Sequence, residues 1–166
     1  MFVGLTSRTN DAGVSALRQF FSQLNVPVLA VPVPAGLHLK SAVSQCGHRF
    51  IAYADTAAGR EMRASMETAV LHHQSQQPQH QRGVQASSQS FYRFLAIPAA
   101  EASAANCLLI NGTIVHRHTT EYPQAVQLYA DLVKDPSSGV RAVRQLHMSE
   151  FEKADGALTC CSLLLS

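Results

Sequence analysis

The chain has 166 residues, 46% hydrophobic and only 14% charged, with a formal net charge of +2. That length suits one domain with a genuine core, burying roughly 70% of the surface its unfolded form exposes. The small net charge and the scattered Lys and Arg exclude the basic stripe that phosphate neutralisation requires, so nucleic acid is not an expected partner. No apolar run approaches the roughly 18 residues of a membrane span.

The opening Met-Phe-Val-Gly-Leu lacks the basic start, long apolar stretch and cleavage site of a signal peptide, which points to a cytoplasmic protein. The apolar run 2–5 predicts a strand. Asn10 or Asp11 is placed to cap a helix, because a short polar side chain there accepts a bond from an unpaired backbone N–H. Val14, Leu17, Phe20, Phe21 and Leu24 follow at three- and four-residue spacing and share one face. Asn25 closes that helix and 28–33 predicts a buried strand, giving a first β, α, β unit.

After Gly36, segments 42–46 and 49–53 predict two strands about the turn residues Gly47 and His48, and 56–70 carries a helical pattern. The strand completing this unit, 91–97, arrives late. The tract between, HHQSQQPQHQRGVQASSQS (72–90), has no apolar period, and a segment of that composition cannot bury enough surface to offset its ordering entropy. The expectation is a disordered insertion within one domain spanning 1–166. Its His72, His73 and His80 would bind a metal weakly, or simply line a solvated loop.

In the third unit, strands 107–110 and 113–116 flank Asn111-Gly112, a strong hairpin signal because a type I′ turn needs positive φ at both positions. The segment 122–133 is amphipathic, with Pro123 tolerated in its first turn, and 140–146 predicts a strand. Ser149 and Glu152 have capping-box spacing for a short helical turn, Gly156 is expected to end it, and an apolar strand carrying Cys160 and Cys161 comes last. A β(β)αβ pattern thus recurs roughly every 50 residues, as in a repeat architecture. Three such units would leave sheet edges uncovered, which points to something else closing the fold.

Three residues draw attention as chemistry. The cysteines Cys46, Cys107, Cys160 and Cys161 follow no structural zinc spacing, and a chain of this size needs no disulfide staples, so reduced thiols are expected. Cys160 is a candidate nucleophile, which requires an accessible thiolate and either a lowered pKa or a base beside it. The alternative is that both adjacent cysteines are small core residues. His38 sits at a strand-to-loop transition after Pro32 and Pro34, suited to taking up and returning a proton. Arg8 sits between a strand end and a helix start, where its fork can hold a carboxylate or simply remain solvated.

The blocks FVGLTSRTN (2–10), VPVPAGLHLKS (31–41), AANCLLIN (104–111), HRHTTEYPQAVQLY (116–129) and MSEFEKADGALTCCSLLL (148–165) occur together and in order. In this the chain resembles the dimethylarginine dimethylaminohydrolases of the pentein, or guanidino-group-modifying, superfamily. The resemblance implies an α/β propeller of ββαβ blades, about three of five present, with the active site in a central channel. It implies Cys160 as the nucleophile toward an ω-methylated arginine, and His38 as the residue that protonates the departing amine and then activates water. Arg8 would grip the substrate carboxylate, the backbone carbonyl of Ala154 would contact substrate, and Asp155 would help orient it. No cofactor is implied. Thiolate and imidazole suit zinc, which at Cys160 and His38 would act as an inhibitor.

The chain departs from that pattern in lacking the acidic segments of the family's N-terminal half, and a buried guanidinium without a carboxylate is costly. It looks like a C-terminal part, whose missing blades come from a longer form or a second chain. The competing reading is a non-catalytic binding or regulatory protein that retains the blades.

Overall fold

The computed structural model describes residues 1–76 and 91–163. They fall into two compact units, one formed by Met1–Leu39 with Glu61–Phe91 and the other by Lys40–Arg60 with Tyr92–Ser166.

In the first unit, β1 (Phe2–Leu5) and β2 (Leu29–Pro32) pair in parallel with Phe2 opposite Leu29, joined by α1 (Asp11–Ser22). Asn10 caps α1, its side chain accepting from the Gly13 N–H at 2.9 Å. Val14, Val28 and Val31 are buried, whereas Phe20 and Leu24 on the predicted apolar face are exposed. The helix α3 (Ala57–Gln76) starts in the second unit, where Thr56 accepts from the Gly59 N–H, and continues into the first, where Met62 and Met66 are buried. It runs on through 72–76, the start of the tract expected to be disordered, because an established helix adds a hydrogen bond with each residue it extends. The remainder of that tract, 77–90 with His80, lies outside the described residues.

The second unit holds two three-stranded sheets of one topology. In the first, β3 (Val43–Gly47) runs antiparallel to β4 (Phe50–Ala54), which runs parallel to β5 (Arg93–Ile97). In the second, β6 (Leu108–Ile110) is antiparallel to β7 (Thr113–Arg117), and β7 is parallel to β8 (Ala142–Leu146). Asn111 and Gly112 both adopt positive φ, 48° and 73°, at the β6–β7 turn, as that dipeptide predicted. The crossover α4 (Pro123–Lys134) has Pro123 in its first turn, and the buried carboxylate of Glu101 accepts from the N–H groups of Gln124 and Ala125.

The core of this unit joins Phe50, Ala52 and Ala54 of β4 to Ile97, Ile114, Tyr129 and Leu132. A short helix α2 (Leu39–Ala42) leads into β3. The described residues therefore give an α/β fold with a repeated ββαβ connection.

Candidate functional site

The candidate residues follow the carboxyl ends of strands, where open α/β sheets commonly bind ligands. In the first unit, β1 and β2 are parallel, so the segments leaving them begin at one end of the sheet. Arg8 lies in the turn after β1, where Thr6 and Thr9 bridge and the Arg8 N–H donates to Thr6 Oγ1 at 2.9 Å. Its side chain is exposed. His38 lies in the segment leaving β2, two residues past Gly36, whose φ of 93° turns the chain. It too is exposed.

In the second unit, the segment after β8 passes through α5 (Ser149–Glu152) to the cysteines. No side chain caps α5, so the expected capping box is not formed. Glu152 is instead drawn to Arg117 on β7: Nη1 donates to Oε2 at 2.7 Å, and a second Nη1 bond reaches Tyr122 Oη at 2.8 Å. A charge-assisted bond to a buried guanidinium outweighs a local cap. The left-handed residue ending the turn is Asp155, with φ 56°, rather than Gly156. Glycine is needed at 156 for closeness, since a Cβ there would lie 2.8 Å from the Phe151 carbonyl oxygen, to which the Gly156 N–H donates. Ala154 and Asp155 are both exposed.

Cys160 and Cys161 lie in a turn and not in the strand expected of them. The N–H groups of both bond back to the Ala157 carbonyl, at 3.0 and 3.2 Å. Leu158 takes the apolar role of this segment, buried with Leu108 and Met148, which leaves both thiols exposed. Cys46 and Cys107 are buried. Burial, with the neighbouring Cys107, pushes the Cys46 thiol up, and burial pushes Cys107 up to about 12. Neither is a competent nucleophile at neutral pH.

Sequence reasoning gave no role to Asn106, although it lies inside the block AANCLLIN. This buried side chain donates to the Lys40 carbonyl and to Thr159 Oγ1, both at 2.7 Å, and accepts from the Thr159 N–H at 3.1 Å. The block was the only signal, because the partners are 66 and 53 residues away. Among the described residues no group of three or more His, Cys, Asp or Glu is arranged to hold a metal ion.

No protein-family model matches the chain. Its α/β fold is shared with several solved structures. It superposes on the dimethylarginine dimethylaminohydrolase of Pseudomonas aeruginosa complexed with citrulline, with a TM-score of 0.65 and 21% identity over 96% of this chain and 49% of that one. It also superposes on an amidinotransferase of the saxitoxin biosynthetic pathway from Microseira wollei, with a TM-score of 0.65 and 11% identity over 98% and 43%. An agmatine deiminase of C. jejuni gives a TM-score of 0.58 at 11% identity over 93% and 46%.

In sequence, the chain is similar to the N(G),N(G)-dimethylarginine dimethylaminohydrolase of Streptomyces coelicolor, 32% identical over 165 residues, which is 99% of this chain and 50% of that protein. The likeness drawn from the motif blocks therefore holds over almost the whole chain. The chain spans about half the length of the relatives it matches.

Proposed function

We propose that the chain is the C-terminal part of a dimethylarginine dimethylaminohydrolase-like hydrolase, contributing about three of the five blades of a pentein propeller. The observation that carries this reading is the exposure of Cys160 on an anchored turn in a chain 32% identical to such an enzyme.

The Cys160 thiolate attacks the guanidinium carbon of an ω-methylated arginine and forms a C–S bond. The C–N bond to the methylated nitrogen breaks, and the amine leaves with a proton given by His38. Neutral His38 then takes a proton from water, the hydroxide adds to the same carbon, and the C–S bond breaks as the added hydroxyl gives up its proton to solvent, leaving citrulline and the thiolate. Arg8 supplies a bidentate fork for the substrate carboxylate. Asp155 and the carbonyl of Ala154 orient the substrate from the turn preceding the nucleophile. The cationic end requires carboxylates that the rest of the propeller supplies, since an unpaired buried charge is prohibitively costly. The chemistry needs no cofactor, and zinc held by Cys160 and His38 would inhibit it.

The reading is tested by citrulline formation from dimethylarginine, measured for the chain alone and for the product of its complete coding region, with Cys160→Ala as control. Turnover that survives Cys160→Ala overturns the mechanism.

A further inference from the structure

We infer that Asn106 is a positioning residue for Cys160, a single buried carboxamide that ties the segment carrying that thiol to the chain at Lys40. The inference rests on the role proposed above for Cys160.

A carboxamide offers two N–H donors and an oxygen acceptor. Asn106 is 2% exposed, and both kinds of group are used. Its Nδ2 donates to the carbonyl of Lys40, two residues past His38, and to the hydroxyl of Thr159, the residue before Cys160. Its Oδ1 accepts from the Thr159 backbone N–H. Thr159 is thus held through backbone and side chain together, which fixes both its place and its rotation. Leu158, buried with Leu108 and Met148, pins the neighbouring position on the other side. Cys160 leaves this clamp as an exposed residue with its own N–H bonded to Ala157.

No other residue type supplies this pattern at the same size. Aspartate keeps the acceptor but turns both donors into acceptors, setting a carboxylate oxygen against the Lys40 carbonyl and burying a charge. The carboxamide orientation is likewise fixed, since exchanging its oxygen and nitrogen would face two acceptors at Lys40 and two donors at the Thr159 N–H. Asn106 acts through Thr159 and Lys40 and touches no substrate.

The test compares Thr159→Val, which removes the hydroxyl at nearly constant shape, Thr159→Ser, which keeps it, and Asn106→Asp. Each protein is alkylated with iodoacetamide, and tandem mass spectrometry gives the ratio of Cys160 to Cys161 modification. A general loosening of the fold raises both rates together and leaves the ratio alone, whereas loss of the Thr159 clamp changes the setting of Cys160. The expected result is a change of about fivefold or more for Thr159→Val and Asn106→Asp, with Thr159→Ser within about twofold of the parent. Ratios within about twofold in both Thr159→Val and Asn106→Asp overturn the inference. Should Asn106→Asp lose its circular dichroism, Thr159→Val against Thr159→Ser decides alone. Citrulline formation by the unsubstituted product of the complete coding region is read separately: its absence together with a shifted ratio sinks the proposed function and leaves the clamp, and its presence together with an unshifted ratio does the reverse.

Discussion

Arg117 and Glu152 form a 2.7 Å ion pair in which the guanidinium is 3% exposed and the carboxylate 43%. The pair fastens α5, the turn before the Cys160 segment, to the central strand of its sheet. Glu152→Gln leaves a buried cation without its counter-charge. The expected loss is about 2 kcal/mol, below the roughly 3–5 kcal/mol of a fully buried pair because water screens the Glu152 side. Urea denaturation of the two proteins at pH 7 measures it.

The same pair sets an acid dependence. Burial pushes the Glu152 carboxyl up, but the hydrogen bond and charge of Arg117 outweigh it, and the net position lies below the usual 4.5. A carboxylate depressed in the folded state stabilises above its unfolded value and loses that contribution as pH falls through the folded one. Parent and Glu152→Gln stabilities are therefore expected to differ fully above pH 4.5 and to converge below it, as a urea series across that range would record.

His116 behaves in the same direction for a different reason. It is buried beside Tyr129, its Nδ1 pairs with the Arg117 carbonyl at 2.8 Å, and its Nε2 has no hydrogen-bond partner among the described residues. Burial holds its pKa below the usual 6.5 despite that backbone bond. The folded state thus prefers the neutral ring, and stability is lost as pH falls from 6.5 toward the folded value. His116→Phe is expected to flatten the fall in melting temperature between pH 7 and pH 5; an unchanged slope would contradict this.

The four thiols divide cleanly. Cys160 and Cys161 are exposed and Cys46 and Cys107 buried, the latter two with raised pKa values. Intact-mass measurement after iodoacetamide treatment is expected to give two adducts on the folded protein and four in denaturant. A third rapid adduct on the folded protein would contradict the placement of Cys46 or Cys107.

Gly59 has no room for a side chain. An added Cβ would stand 1.8 Å from the Ala54 carbonyl oxygen, a backbone atom at the end of β4. Gly59→Ala forces the first turn of α3 away from that strand, with an expected cost of about 2 kcal/mol or more. Thermal unfolding monitored by circular dichroism checks it.

What could be read from the sequence was what local chemistry decides. The Asn10 cap, the Asn111-Gly112 hairpin and the helix after Pro123 each depend on residues a few positions apart, and each appears in the fold. The capping box failed because Glu152 found Arg117, 35 residues away. The cysteine strand failed because one residue, Leu158, meets the apolar demand of that segment, and its partners Leu108 and Met148 are invisible to a window. Asn106 carried no local sign of its role for the same reason. Arg8, His38 and Cys160 were picked out by residue type and resemblance, and the structure adds their positions after strand ends.

Under the proposed function Cys160, and not its neighbour, attacks a methylated guanidinium. Citrulline formation from dimethylarginine by the product of the complete coding region tests it most directly, with Cys160→Ser and Cys161→Ser compared side by side. Turnover is expected in Cys161→Ser and none in Cys160→Ser. Citrulline produced by Cys160→Ser, or lost only in Cys161→Ser, would contradict it.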